Sequence, residues 1–295
     1  MDQSIMRFFK LQDGRTLCYT ELGNPKAKPL FHFHGWPGSC FEAKFGEVLI
    51  PIANARIISV NRPGIGLSDR KKNRKLLEWP DDVAELADYL DLNRFSIMGV
   101  SGGAASALAC AYKIPDRVKS VGIVSGLGPF YMCKDHVPPY VKFLLTTGRR
   151  MKWLVKIVLW FFFARPFNSK NQERSKAKMY SRFEKILTKQ DLEFFKNEEI
   201  LDIMWNQIKE AFTLGIKGVC DEGSLYITHW GFDLEEIPKN VGIYVWHGEL
   251  DPLIPVCIGR QLAEAIPHCN AVFYPNEGHY STLFNYIGDM ISTLV

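Results

Sequence analysis

A serine attacks a carbonyl carbon readily only when a neighbouring base takes its proton and nearby donors stabilise the charge forming on the oxygen. The chain carries residues of each type at informative places. Gly99-Val100-Ser101-Gly102-Gly103 matches Gly-x-Ser-x-Gly, directly after the apolar run Phe95–Val100 and directly before the small-residue run Ala104–Tyr112. A serine on so sharp a strand-to-helix turn is held in strained backbone geometry, and the residues two positions to either side must lack bulk for strand and helix to approach. The turn aims the hydroxyl out of the sheet and leaves N–H groups free at a helix N-terminus. Five residues of this kind also suit a phosphate-binding loop, so the reading of Ser101 as a nucleophile rests on its partners.

Three further loops supply them. His34-Gly35-Trp36-Pro37-Gly38 follows the run Leu30–His34 and is placed to offer a second backbone donor, so the expected oxyanion donors are the amides of Trp36 and Gly102. Trp36 and Val100 are expected to line the substrate pocket, and His34 to fix the loop by hydrogen bonding. His247-Gly248-Glu249-Leu250-Asp251-Pro252 follows the buried run Gly242–Trp246 and holds two acids; Asp251 is the preferred orienting carboxylate and Glu249 its competitor. Asn276-Glu277-Gly278-His279-Tyr280 follows Ala271–Tyr274, which makes His279 the preferred base among seven histidines. The implied chemistry is acyl transfer.

Residues from four loops meet only if the strands before them share one sheet. Short β-branched or aromatic runs alternate with helical patterns, as in a parallel sheet with crossover helices. Ile5–Lys10 and Thr16–Glu21 flank a turn at Asp13-Gly14 and predict an opening hairpin. Leu30–His34, Ile57–Val60, Phe95–Val100, Val118–Val124, Gly242–Trp246 and Ala271–Tyr274 follow as sheet strands, and Pro80–Leu92 predicts an amphipathic helix with an acidic first turn. Between about Pro129 and Gly223 the pattern becomes helical and aromatic. Because strands resume afterwards, this block is expected to be an insertion, with residues 1–128 and 226–295 forming a core around a helical cap at 129–225.

These motifs resemble the α/β-hydrolase superfamily. The order Ser101, Asp251, His279 is the order that family uses. Asn61-Arg62-Pro63-Gly64-Ile65-Gly66-Leu67-Ser68-Asp69 and Trp230-Gly231-Phe232-Asp233-Leu234 extend the likeness. The resemblance implies an α/β fold with an eight-stranded, mostly parallel sheet, a helical cap inserted after strand 6, no metal and no organic cofactor. It further implies that His279 deprotonates Ser101 and that water hydrolyses an acyl-enzyme. Relatives with aspartate at the nucleophile position are epoxide hydrolases or dehalogenases, so Ser101 argues against both. Proline-iminopeptidase-like members have a second glycine in the oxyanion loop and tryptophan after the nucleophile, and ring-cleavage hydrolases often have methionine there. This chain has Trp36 and Gly102. The expectation is therefore a carboxylic-ester hydrolase acting on a small or acyl-chain substrate. Amide, thioester or C–C bond hydrolysis on the same residues is the alternative, and a non-catalytic ligand-binding receptor is a third reading.

The 295 residues, 47% hydrophobic and 23% charged, can bury a sizeable core. A net charge of +4 and the lack of a nucleic-acid-binding signature argue against that partner. The N-terminus lacks a signal-peptide pattern, and seven scattered cysteines read as reduced thiols, so a cytoplasmic location is expected. Charge is concentrated in the insertion, where Lys134–Lys189 holds fourteen Lys/Arg against three Asp/Glu. Within it, Trp153–Ala164 is apolar except at Lys156, twelve residues where a membrane span needs about 20. The preferred reading is a cap helix whose aromatics line an apolar pocket. The sharper one is peripheral docking on an anionic membrane.

Overall fold

The computed structural model describes residues 5–49, 55–132, 157, 160–167, 169 and 171–295. Eight strands form one sheet: β1 (Met6–Lys10), β2 (Thr16–Gly23), β3 (Lys28–Phe33), β4 (Ala55–Val60), β5 (Phe95–Val100), β6 (Val118–Val124), β7 (Gly242–Gly248) and β8 (Cys269–Tyr274). Their spatial order is β1-β2-β4-β3-β5-β6-β7-β8. The β1–β2 and β2–β4 pairs are antiparallel and the remainder parallel. The predicted α/β-hydrolase fold with its mostly parallel sheet is thus the observed one. Strand β3 starts two residues before its apolar run, because Lys28 and Pro29 pair with Ala55 and Arg56 at the outer end of the sheet, where no apolar pattern is needed.

Helices cover both faces, which explains why β5 is buried at every position. On one face lie α1 (Lys44–Leu49) and, at the chain end, α9 (His279–Leu294), with Phe45 and Phe284 in ring contact. On the other lie α2 (Trp79–Tyr89), α3 (Gly103–Lys113) and α8 (Val256–Ala265), which contribute Trp79, Leu86, Leu108 and Leu262 to the second core cluster. Helix α2 is shorter than its apolar pattern suggests, since the chain turns at Asp91 with φ +56°. Among the described residues between β6 and β7, the longer helices are α4 (Gln172–Phe183), α5 (Lys189–Phe194), α6 (Glu198–Ala211) and α7 (Ile216–Tyr226).

Strand order reverses direction between β3 and β5. In open α/β sheets the loops leaving the carboxyl ends of the strands diverge at such a point, which is where ligands bind. The loop with Trp36 and the turn with Ser101 both stand at this point.

Residues 134–156 of the basic block lie outside the described residues. Of the aromatic stretch, Trp160 and Phe161 are each about half exposed, at 49% and 48%. No described helix is long and apolar enough to cross a membrane. The cysteine reading is corrected at Cys257, which is disulfide-bonded, whereas Cys18, Cys40, Cys110 and Cys269 are thiols. A disulfide belongs to oxidising surroundings, so cysteine usage no longer argues for a reducing compartment.

Candidate active site

Strand β5 must turn directly into α3 at Ser101, and the backbone there is left-handed, with φ +51°. That conformation strains any residue with a Cβ by about 1–2 kcal/mol. The turn is held in place by Ser101 N donating to Val124 O at 2.9 Å and Leu127 N donating to Ser101 O at 2.9 Å. The flanking glycines are steric requirements: a Cβ on Gly99 would lie 2.8 Å from Gly103 O, and one on Gly103 would lie 2.0 Å from Phe33 O. The strand and helix therefore touch through bare backbone, as the motif requires.

His279 and Asp251 meet. His279 Nδ1 donates to Asp251 Oδ2 at 2.7 Å, both side chains being buried. The carboxylate is saturated with donors. Its Oδ1 accepts from Leu253 N at 2.8 Å and Ile254 N at 2.9 Å, and its Oδ2 also faces His247 Nε2 at 3.4 Å. His247 Nε2 donates to Ile254 O at 2.8 Å, which fixes the proton on that nitrogen. Burial opposes ionisation of Asp251, yet the facing His279 and the hydrogen bonds from both imidazoles outweigh it and hold the carboxyl well below its ordinary range. Burial likewise disfavours a charged His279, but the Asp251 carboxylate outweighs it and raises the imidazole above its usual value. With Nδ1–H committed to Asp251, the neutral ring presents its Nε2 lone pair, the tautomer a general base needs. Glu249 points elsewhere and pairs with Arg260 at 2.5 Å on the surface.

The loop after β3 is held from three sides. Gly35 N donates to both oxygens of Glu42, at 3.1 and 3.0 Å, and His32 Nε2 stands 3.4 Å from the same carboxylate. Arg62, fully buried, donates to His34 O at 2.8 Å and Gly35 O at 3.2 Å. Trp36 Nε1 donates to Val219 O of α7 at 2.9 Å. The Trp36–Pro37 peptide is cis. Carbonyls and side chains of the loop are thus occupied, and the Trp36 amide donates to no acceptor among the described residues; the same is true of Gly102. The two residues adjoin, for a Cβ on Gly102 would lie 2.9 Å from Trp36 Cβ. His34 Nδ1 bonds Gly35 O at 2.8 Å, and burial, reinforced by the Arg62 cation, pushes its imidazole well below the ordinary value. Val100 is 7% exposed and packs into a buried apolar cluster, so little of it is left to line a pocket.

Several residues around the site were not singled out from the sequence. Ser125 Oγ donates to the carbonyl of His279 at 3.1 Å, tying the end of β6 to that residue. Glu222 of α7 accepts from Arg62 Nε at 2.6 Å, from Tyr226 OH at 2.6 Å and from Arg74. Glu210 of α6 accepts from Asn61 at 2.9 Å, and burial pushes its carboxyl up to about 7. Asp191 of α5 accepts from the backbone at His279. Only Asp191 had a local signal, the Thr188-x-x-Asp191 capping pattern, and that pattern marks a helix start without naming a distant partner.

Arg62 and Glu222 lie 160 residues apart and join the loop after β3 to α7 without solvent contact. Glu222→Gln leaves two guanidinium groups facing a neutral amide, so a loss of about 3–5 kcal/mol in unfolding free energy is expected. Urea unfolding followed by circular dichroism reads it.

The alpha/beta hydrolase fold family model matches residues 28–286, and the chain belongs to that family. An uncharacterized hydrolase of Bacillus subtilis (strain 168), YcgS, is 24% identical over 187 residues, covering 62% of this chain and 64% of that protein. A probable proline iminopeptidase of Leptolyngbya boryana is 30% identical over 105 residues, 35% of this chain and 32% of that one. The chain thus spans less than two thirds of the length of either curated relative. The esterase RhEst1 from Rhodococcus sp. ECU1013 superimposes with a TM-score of 0.68 at 18% identity, over 99% of this chain and 100% of that one, a likeness of fold.

Proposed function

We propose that this hydrolase cleaves carboxylic esters through an acyl-enzyme, with Ser101 as nucleophile, His279 as general base and acid, Asp251 as its orienting carboxylate, and the Trp36 and Gly102 amides as oxyanion donors. The observation that carries the reading is the buried 2.7 Å bond between His279 and Asp251 beside the end of β6, where Val124 O accepts from the N–H of the strained Ser101 and Ser125 Oγ donates to the His279 carbonyl. His279 takes the Ser101 proton as Oγ attacks the carbonyl, returns it to the leaving alcohol, and then deprotonates the water that releases the acid. The insertion at 129–225 acts as a cap, with Val219 O of α7 accepting from Trp36 and Tyr226, the last residue of α7, beside Gly102.

The named relatives bring forward both ester and amide substrates. An enzyme that recognises a substrate's free amine needs a carboxylate to pair with it. Of the buried acids around the site, Glu42 binds Gly35 N and His32, Glu222 binds two arginines and Asp191 binds backbone N–H groups, while Glu210 accepts from Asn61 and burial pushes its carboxyl up to about 7, toward the neutral form that pairs poorly with an ammonium. That supports an ester. A p-nitrophenyl ester series and aminoacyl p-nitroanilides, including proline p-nitroanilide, separate the readings. At least one ester is expected to exceed every anilide in kcat/KM by about a hundredfold, roughly 3 kcal/mol of transition-state stabilisation. A preference for the anilides would overturn the ester reading and leave the hydrolase class intact.

A further inference from the structure

Helix α9 begins at His279, so the N–H groups of its first turn have no acceptor within the helix. Three of them converge on one carboxylate that belongs to the helical block. Asp191 Oδ1 accepts from Tyr280 N and Ser281 N, both at 2.8 Å, and Asp191 Oδ2 accepts from His279 N at 3.3 Å. Asp191 is wholly buried. Its own position is fixed by a capping box at the start of α5: Thr188 Oγ1 donates to Asp191 Oδ2 at 2.9 Å and accepts from Asp191 N at 3.2 Å.

A second observation points the same way. A Cβ on Gly278 would stand 2.2 Å from Asp191 Oδ2 and 2.4 Å from Thr188 Oγ1. The residue before the histidine is thus pared to glycine where the carboxylate arrives. A helix can be capped cheaply by a local serine or aspartate at its N-cap. Here the N-cap is Gly278, and this acceptor comes from 88 residues away in the chain.

We propose that Asp191 is a positioning residue for the reaction: it pins the backbone of His279 and so makes the docked helical block a condition for a working base. The inference rests on the hydrolase reading of Ser101, Asp251 and His279. Each part of the histidine is then held by a different element. Asp251 holds the ring, Ser125 the carbonyl, and Asp191 the amide. Displacing α5 frees the last of these and loosens the first turn of α9. The charge of Asp191 also acts on the base. The groups facing His279 are Asp251 from the loop after β7, Asp191 from α5, Glu42 from the turn after β3 and the Tyr280 ring of its own helix, 5.1 Å away. Burial opposes a protonated His279, while Asp251, then Asp191 and Glu42, favour it. Loss of the Asp191 charge therefore moves the protonation of His279 to lower pH.

The test compares Asp191→Ala, Asp191→Asn and, as a control in the same helix, Glu193→Ala, all below their melting temperatures. Asp191→Ala is expected to lower kcat on a p-nitrophenyl ester by about tenfold to a hundredfold, the scale of a misplaced catalytic group, with KM nearly unchanged. The acid limb of its pH profile moves down. Asp191→Asn keeps an oxygen for Tyr280 N and Ser281 N but turns its NH₂ toward His279 N, so its kcat falls between those of the parent and Asp191→Ala while the limb stays lowered, and Glu193→Ala matches the parent. Fluorophosphonate labelling of Ser101 slows in step with kcat. A lower melting temperature with kcat and the acid limb unchanged would overturn the proposal, since that is what a purely structural cap produces. If Asp191→Ala does not fold, the limb of Asp191→Asn decides alone. Parent protein that takes no label removes the hydrolase reading itself, whereas labelled parent with unaltered variants removes only the role of Asp191.

Discussion

Replacing Ser101 with alanine is expected to lower kcat on an activated ester by about a million-fold, the scale seen when a serine nucleophile is removed from such a constellation. The substitution deletes the atom that forms the acyl bond and leaves the backbone turn, whose φ of +51° alanine bears as serine does. The fold and KM therefore persist. What activity survives comes from the Trp36 and Gly102 amides, which can still stabilise an oxyanion formed by direct attack of water, about 10³–10⁴-fold above the uncatalysed rate. Steady-state kinetics beside a thermal melt read both halves of this expectation.

Asp251→Asn is expected to cost about 10⁴-fold in kcat. The reason lies in the four donors around the carboxylate. Leu253 N and Ile254 N meet Oδ1, and the two imidazoles meet Oδ2. Backbone donors cannot change, so asparagine keeps its oxygen toward them and turns its NH₂ to the histidines. His279 Nδ1 must then accept, which places the ring proton on Nε2, where it cannot receive the proton of Ser101. The pH profile gives an independent reading. Asp251 raises the affinity of His279 for its proton, and the base works only when neutral, so parent activity falls on acidification through a point above the ordinary imidazole value. Without the Asp251 charge the residual limb lies at lower pH. Glu249→Gln, by contrast, removes only a surface pair worth about 0–1 kcal/mol, and its kcat should match the parent.

Much of this architecture was legible because its signals are local. Strands announce themselves through short apolar runs, and Gly99 and Gly103 mark a turn in which strand and helix backbones touch. The choice between Asp251 and Glu249 was harder, since both stand on one loop two residues apart. Folding separates them: Leu253 N and Ile254 N wrap one carboxylate, while Arg260, a turn of α8 away, draws the other to the surface. The supports of the site were out of reach for a different reason. Arg62 finds Glu222, and Asp191 finds His279, only after the helical block has folded onto the sheet, and no periodicity encodes a contact across such separations. The run Trp153–Ala164 shows the limit from the other side. Apolar at every position but Lys156, it names no face, and the half-exposed Trp160 and Phe161 are positions that composition alone would have buried.

The most direct test of the account is the site at which a fluorophosphonate adds to the folded protein. A single adduct on Ser101, absent from Ser101→Ala and slowed in Asp251→Asn, is the predicted result. Protein with native circular dichroism that takes no adduct, or takes it at another residue, would contradict the assignment of Ser101 as an activated nucleophile.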